Sequence, residues 1–357
     1  MLLNRGGNME DCSKDVLDWY DANKRTLPWR DEVSLYRTLV SEFMLQQTRV
    51  ETVKPYFARF MKRFPTLNDL ANAPTEDVLQ LWKGLGYYSR AHNLHKSANI
   101  LINLDKTPEN VDELRQLPGV GEYLAGAIAS IALDMDEAAV DGNHHRIFSR
   151  LFCDSGSRKE MWKHARKMLP HGRAGDFNQA LMDIGSKICR AKNPLCCDCP
   201  ITKHCQAYQT QTIDNYPPKK KKKIIPTKHV YSAFIKNDSG QVLVVQRPNS
   251  GLYRGLFELP SFFVNSSSNF QSAFHDEFAL LLEVHESFGY VEHRLTHMHL
   301  VNHLYSCSIN TDIDSLKTYL SFRWILGMDE VPLSTLAQKV YSLSQQDQQL
   351  SLFPNDS

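Results

Sequence analysis

The 357-residue sequence predicts a multidomain protein in which an all-α region is joined by a linker to an α+β domain with an antiparallel sheet. Before about residue 209, apolar residues recur at intervals of three and four: Val16, Trp19 and Tyr20; Leu39, Phe43 and Leu45; Leu79, Leu81 and Trp82; Ala125, Ile128 and Ala129. That spacing puts them on one face of successive helices. The runs HVYSAFIK, GQVLVVQR and LVNHLYSCSI, after about residue 228, instead alternate apolar and polar residues and are rich in Val, Ile and Tyr, as strands are. Between the two regions, QTQTIDNYPPKKKKKIIPTK (209–228) sets a double proline before five lysines, Lys219 to Lys223. Proline stops a helix and like charges repel, so this stretch reads as an exposed linker. The lysines are either a solvated charge run or a strip that lies along a polyanion.

The helices of the first region are separated by breaks such as RTLPWR, RFPTL, ANAPTED, KGLGYY and QLPGVGEY. In the second region NDSG, Asn237 to Gly240, supplies a turn between the first two strands, and the glutamine-rich end SQQDQQLSLFPNDS reads as a frayed tail. With 42% apolar and 23% charged residues the chain is of ordinary globular composition, long enough for two or three domains. The opening MLLNRGGNMEDC has no apolar core of a signal peptide, and no run approaches the length of a membrane span, so a cytoplasmic protein is expected, with Met1 or Met9 as its start. In that reducing setting, clustered cysteines point to a metal or redox site. A net charge of +1 leaves room for a locally basic groove.

Four motifs carry chemistry. In LPGVGEYLAGAIASIAL (117–133) a helix breaks at Pro118, Gly119 and Gly121 flank one apolar residue, and a new helix begins. Unobstructed amides at a helix N-terminus suit a phosphate oxygen, or a cation bridging to one, and this is the helix-hairpin-helix pattern of sequence-independent DNA contact. VSEFMLQQTRVETV (40–53) places Glu42 and Gln46 four apart on one helix face, with Gln47 and Arg49 beside them. VDGNHHRIFSRLF puts Asp141 and Asn143 at a break between helices. Taken alone, Glu42 reads as a helix-dipole partner and Asp141 as an N-cap. Five of the eight cysteines fall in CRAKNPLCCDCPITKHC, where Cys189, Cys196, Cys199 and Cys205 are spaced C-x6-C-x2-C-x5-C and Cys197 is extra. Zinc sites generally pair two close couples; one close couple flanked by lone cysteines favours a four-iron cubane wrapped by a single loop. The basic residues around it, Lys187, Arg190, Lys192, Lys203 and His204, would balance an anionic cluster.

LPGVG, the aspartate of VDGN and the cysteine spacing together resemble the endonuclease III superfamily of DNA glycosylases. Within it, SEFMLQQT, GLGYYSRA and a domain after the cysteines resemble the MutY-type adenine DNA glycosylases, from about Leu27 to Cys205 closely and through 229–345 more loosely. The resemblance implies a helical glycosylase core at 10–208, with the hairpin at 117–133 and a [4Fe-4S] loop at 189–205, the linker at 209–228, a MutT-like Nudix-fold domain at 229–345 and a tail at 346–357. It implies a monomer acting on duplex DNA with 8-oxoguanine:A or G:A mispairs. By the same resemblance Glu42 is the acid that protonates adenine, Asp141 stabilises the sugar cation, Asn143 orients the pair and Tyr123 stands beside them. Gln47, Leu85 and Tyr87 match intercalating positions, next to Gln46, while Gly119 and Gly121 meet the backbone. Because bifunctional relatives carry a lysine where Tyr123 stands, base removal without strand cleavage is implied. Thr296 and His297 match a loop that probes 8-oxoguanine, although Leu295 stands where the family has phenylalanine. No REx2EE-type carboxylate helix follows Pro260, which speaks against nucleotide hydrolysis. The rival readings are an endonuclease III-type pyrimidine glycosylase and lyase, and a Nudix-fold nucleotide hydrolase with an accessory DNA-binding module.

Overall fold

A computed structural model describes residues 9–219, 224–248, 250–264, 266, 268–309 and 321–351. They pack as two units, residues 9–72 with 93–219 and residues 73–92 with 224–351. The short segment 73–92 therefore groups with the C-terminal residues, far from it in sequence.

The first unit is helical. Helix α1 (Met9–Asn23) is followed by α2 (Leu35–Leu45), α3 (Val50–Arg63) and α4 (Leu67–Ala71), and after the excursion by α7 (Val111–Leu114), α8 (Glu122–Ala132), α9 (Gly142–Leu151), α10 (Arg158–Met168), α11 (Ala174–Lys187) and α12 (Gln206–Gln209). Five of these starts have a local cause. Ser34, Asn110, Asp141 and Ser157 accept amide hydrogen bonds with their side chains, and Thr66 and Asp69 form a capping box. Val16, Phe148, Met161, Phe177, Leu181 and Ile184 form one core between α1, α9, α10 and α11, and Cys189, Cys199 and Cys205 pack on it. Helix α2 packs on α3 and α8, with Leu39, Val40, Phe43 and Met44 fully buried. Gly119 has φ +79°, and a Cβ there would lie 2.5 Å from Asn93 Nδ2, so the hairpin requires glycine at this position.

The second unit holds α5 (Thr75–Trp82) and the start of α6 (Ser89–Leu101), then β1 (Thr227–Ile235), β2 (Val242–Gln246), β3 (Phe257–Glu258), β4 (Ser261–Phe262), α13 (Ser268–Phe278), β5 (Leu282–Arg294), β6 (His299–Ile309), β7 (Phe322–Ile325) and α14 (Thr335–Ser351). The strands form two sheets, β4-β1-β6-β5 and β3-β2-β7. The expected antiparallel sheet is corrected here to a mixed one, since β1 and β6 run parallel from Thr227↔His299 to Ile235↔Cys307. Alternation in a sequence identifies a strand but not the direction of its neighbour. Burial on both faces accompanies the parallel pairing. Val230 and Phe234 enter a core with Leu336, Val340 and Tyr341 of α14, while Tyr231, Ala233 and Ile235 enter another with Phe270 and Phe274 of α13. The NDSG turn is present, with Gly240 donating to the Asn237 carbonyl at 2.9 Å. It leads β1 into one sheet and β2 into the other, which meet there through the bridge Lys236↔Val242. Helix α14 continues to Ser351, into the segment expected as a tail. Lys220 to Lys223 of the lysine run lie outside the described residues. No helix among the described residues is long and apolar enough to cross a membrane.

Candidate active site

In the first unit, Glu42, Tyr123, Asp141 and Asn143 line one cavity of about 150 Å³, together with Arg25, Trp29, Arg30 and others. Glu42 comes from the last turn of α2 and is 5% exposed. Its Oε2 accepts a 2.8 Å hydrogen bond from the hydroxyl of Tyr123, which the hairpin delivers in the first turn of α8. Burial pushes the Glu42 carboxyl up to about 7; the Tyr123 hydrogen bond opposes the rise and the Asp141 charge adds to it. Burial and the neighbouring Glu42 also raise the Tyr123 phenol well above its usual value. Such a carboxyl is half protonated near neutrality, as a proton donor at that pH must be.

Asp141 is the N-cap of α9. Burial opposes its ionisation, yet hydrogen bonds from His144 and from the amides of His144 and Asn143 outweigh that and hold the carboxyl below the usual range. Two carboxyls in one cavity are thus driven apart, one upward and one downward, the arrangement that separates an acid from a charge stabiliser. Asn143 Nδ2 donates to Asp141 Oδ2 at 2.9 Å, and its own Oδ1 accepts from Arg146 Nη2 at 2.8 Å. Arg146 Nε then donates to the Cys189 carbonyl at 2.7 Å. Gly185 of α11 makes room for this arrangement, because a Cβ there would lie 2.5 Å from that of Asn143.

Cys189, Cys196, Cys199 and Cys205 line one apolar pocket with Ile147, Leu151 and Ile188, whereas Cys197 is exposed and outside it. Among the described residues, no three of these sulfurs lie within 4.8 Å of one another. Tetrahedral zinc, with bonds of about 2.3 Å, would need sulfurs about 3.8 Å apart. Four cysteines on one apolar pocket are a donor set that can hold a metal cluster. Arg150 adds a cation, donating through Nη1 to Cys189 Sγ at 3.3 Å.

The second unit has its own cavity of about 570 Å³, lined by Tyr87, Tyr88, Ser89, Tyr253, Arg254, Thr296 and His297, among others. Thr296 and His297 are exposed at the tip of the β5–β6 hairpin, closed by a 2.9 Å bond from Leu295 N to Met298 O. Tyr87 is 46% exposed and left-handed at φ 50°, and Arg90 packs over its ring at 5.4 Å.

A family profile of the HhH-GPD superfamily of base excision DNA repair proteins matches residues 40–171, and one of the NUDIX domain matches residues 220–343. The chain is 33% identical to the adenine DNA glycosylase of Rattus norvegicus, across 92% of this chain and 77% of that protein. It belongs to the adenine DNA glycosylase family. The human adenine DNA glycosylase is 33% identical across 93% of this chain and 74% of its own length, and that of Buchnera aphidicola (strain Sg) 38% across 70% and 74%. A thermostable thymine-DNA glycosylase matches 57% of this chain over 97% of its own, with 29% identity and a TM-score of 0.52. An endonuclease III–DNA complex, 24% identical, matches 59% of this chain over 99% of its own at a TM-score of 0.51, a likeness of fold.

For a member of the adenine DNA glycosylase family, an enzyme family of base-excision repair, the expected residues are distributed unevenly. Glu42, Tyr123, Asp141 and Asn143 are brought together, and so, in the other unit, are Tyr87, Thr296 and His297. Gln46 is the C-cap of α2, and Gln47 is exposed with φ 55°. Leu85, by contrast, is 6% exposed, with its carbonyl accepting from Arg90 at 3.2 Å. Gly121 is the N-cap of α8, with open space where a Cβ would be. Sequence reasoning missed Arg25 and Arg30, which pair with the buried Asp183, and also Arg146 and His144. Arg146 had no readable signal. His144 had one, since a position three after an N-cap faces the cap.

Proposed function

We propose that this member of the family removes adenine paired with 8-oxoguanine or guanine, by hydrolysis and without cleaving the strand. The supporting observation is the pair of opposed carboxyls: Glu42, buried and raised to about 7, sharing a cavity with Asp141, held ionised. Adenine leaves poorly as an anion, so Glu42, once the base is turned out of the stack, transfers its proton to N7. The C–N bond breaks with its electrons going to the protonated base, which leaves as neutral adenine. Asp141 stabilises the cationic sugar, water adds to the sugar carbon and its proton returns to Glu42, leaving free adenine and an abasic site. Tyr123 orients Glu42, and Asn143 orients Asp141. No lysine is among the residues lining the cavity, which favours hydrolysis over an amine-linked lyase path.

In the same reading, Cys189, Cys196, Cys199 and Cys205 hold a [4Fe-4S] cluster, which supplies no base-removal chemistry and fixes the loop that carries Arg146's partner carbonyl. Tyr87, Thr296 and His297 receive the oxidised guanine or its backbone, and Gly119 and Gly121 a phosphate. Helix α13 turns Phe270 and Phe274 into the core and lacks the carboxylate pattern of a Nudix hydrolase, so nucleotide hydrolysis is not part of it. Incubation with duplexes containing 8-oxoguanine:A, G:A and thymine glycol tests the proposal. Free adenine should come from the first two alone, with strands intact until alkali is added. Strand breaks without alkali, or release of thymine glycol, would overturn it.

A further inference from the structure

Asp141 has an unusual second tether. The His144 ring is fully buried and its Nδ1 lies 2.7 Å from Asp141 Oδ1. Because an ionised carboxylate only accepts, the imidazole must donate, which places a ring proton on Nδ1. The other nitrogen, Nε2, is buried with no hydrogen-bond partner among the described residues. Among those residues the ring therefore has a single hydrogen bond, and its partner is the carboxylate. A helix N-cap needs only the backbone bonds, which Asp141 already has: its Oδ1 accepts from the amides of Asn143 and His144, each at 2.8 Å. The imidazole makes a third donor on the same oxygen. Oδ2, by contrast, accepts from the side-chain amide of Asn143.

We infer that His144 is a positioning residue for catalysis: its Nδ1–H locks Oδ1 onto the helix end, so that Oδ2 is the oxygen held toward the sugar. This rests on the reading of Asp141 as the cation-stabilising carboxylate. It accounts for a polar ring in a place where an apolar side chain would fill the volume without leaving Nε2 unpartnered. The other ionisable groups that share the cavity of Asp141 or act on it are Glu42 of α2, Tyr123 of α8, Arg146 of α9, and Arg25 and Arg30 from the segment before α2, both of which pair with Asp183. None of them replaces the lost donor on Oδ1.

The experiment measures single-turnover adenine release against pH in the full-length protein. His144→Val should release adenine about 10- to 100-fold more slowly, the range expected for one charge-assisted hydrogen bond. Its acid limb should move to higher pH, while binding to abasic-site DNA stays within about twofold of wild type. An asparagine amide reaches the place of Nδ1 and a glutamine amide that of Nε2. His144→Asn should therefore recover most of the rate and the acid limb, and His144→Gln should recover neither; this pair decides the matter if the valine variant does not fold. Equal rates and limbs in wild type and His144→Val, or equal slowing by Asn and Gln, would overturn the inference. Asp141→Asn separates the two ideas. If it is inactive while His144→Val is normal, only the tether fails; if it is fully active, the reading of Asp141 fails.

Discussion

Glu42 is the residue on which pH should act most directly. Its carboxyl ionises near 7 in the folded protein and near 4.5 ordinarily, so the stability linked to its protonated form is complete below pH 4.5 and is lost as pH rises through 7. Glu42→Gln is free of that loss. The variant should be more stable than wild type by up to about 3 kcal/mol at pH 8 and no more stable at pH 4.5, as urea denaturation at both values would measure. Without its proton donor it should also release adenine about 10²- to 10⁴-fold more slowly. Tyr123→Phe is expected to push the Glu42 titration further up. The phenol's hydrogen bond lowers the Glu42 pKa, so its removal should move the alkaline limb of the rate profile to higher pH. An alkaline limb that stays in place would mean that another group controls it.

At the scale of elements, α9 connects the carboxylate to the cysteine loop. Its N-cap is Asp141 and its first turn holds Asn143, and one turn further Arg146 donates to Asn143 Oδ1 and to the carbonyls of Gly185 and Cys189. In the proposed reading that the four cysteines hold a [4Fe-4S] cluster, Arg146→Ala should therefore slow adenine release about tenfold or more and also hasten loss of the cluster's brown colour, two effects from one side chain. Cys199→Ser should lose that colour and Cys197→Ser should keep it, since only the former lines the pocket. Local chemistry made much of this legible: the glycines of LPGVG, the cap at Asp141 and the cysteine spacing are each short-range signals. The Arg146 contacts were not legible, because Cys189 lies 43 positions away and its carbonyl carries no side-chain signature. Strand β5 was hidden for another reason. Apolar residues alternate at Leu282 and Val284 and again at Phe288 and Tyr290, but the register against β6 shifts twice between Val284 and Gly289, which interrupts the run.

Across the whole molecule, the grouping of 73–92 with the C-terminal residues changes what a truncation would do. Its contacts span sequence separations near 250 and follow no local pattern. Glu76 receives both terminal nitrogens of Arg323 at 2.6 and 2.8 Å, Lys83 donates to Asp329 at 2.7 Å, Gln80 to the Asp329 carbonyl at 2.8 Å, and the Tyr88 hydroxyl to the Leu333 carbonyl at 3.2 Å. The ion pairs involve exposed partners, and solvent screens them. Tyr88, however, is 4% exposed, and removing its surroundings uncovers apolar area as well. A chain ending at Pro218 keeps Glu42, Tyr123, Asp141 and the four cysteines, none of which belongs to the second unit. In the proposed reading it should still release adenine from G:A duplexes and lose the preference for 8-oxoguanine:A expected of the full chain, and it should be cut by trypsin at Lys83 faster than the full chain, in which the Lys83 ammonium pairs with Asp329. Limited proteolysis read by mass spectrometry, with both duplexes assayed in parallel, measures this. Unchanged resistance at Lys83 in the truncated chain would mean that 73–92 holds its structure without the C-terminal residues.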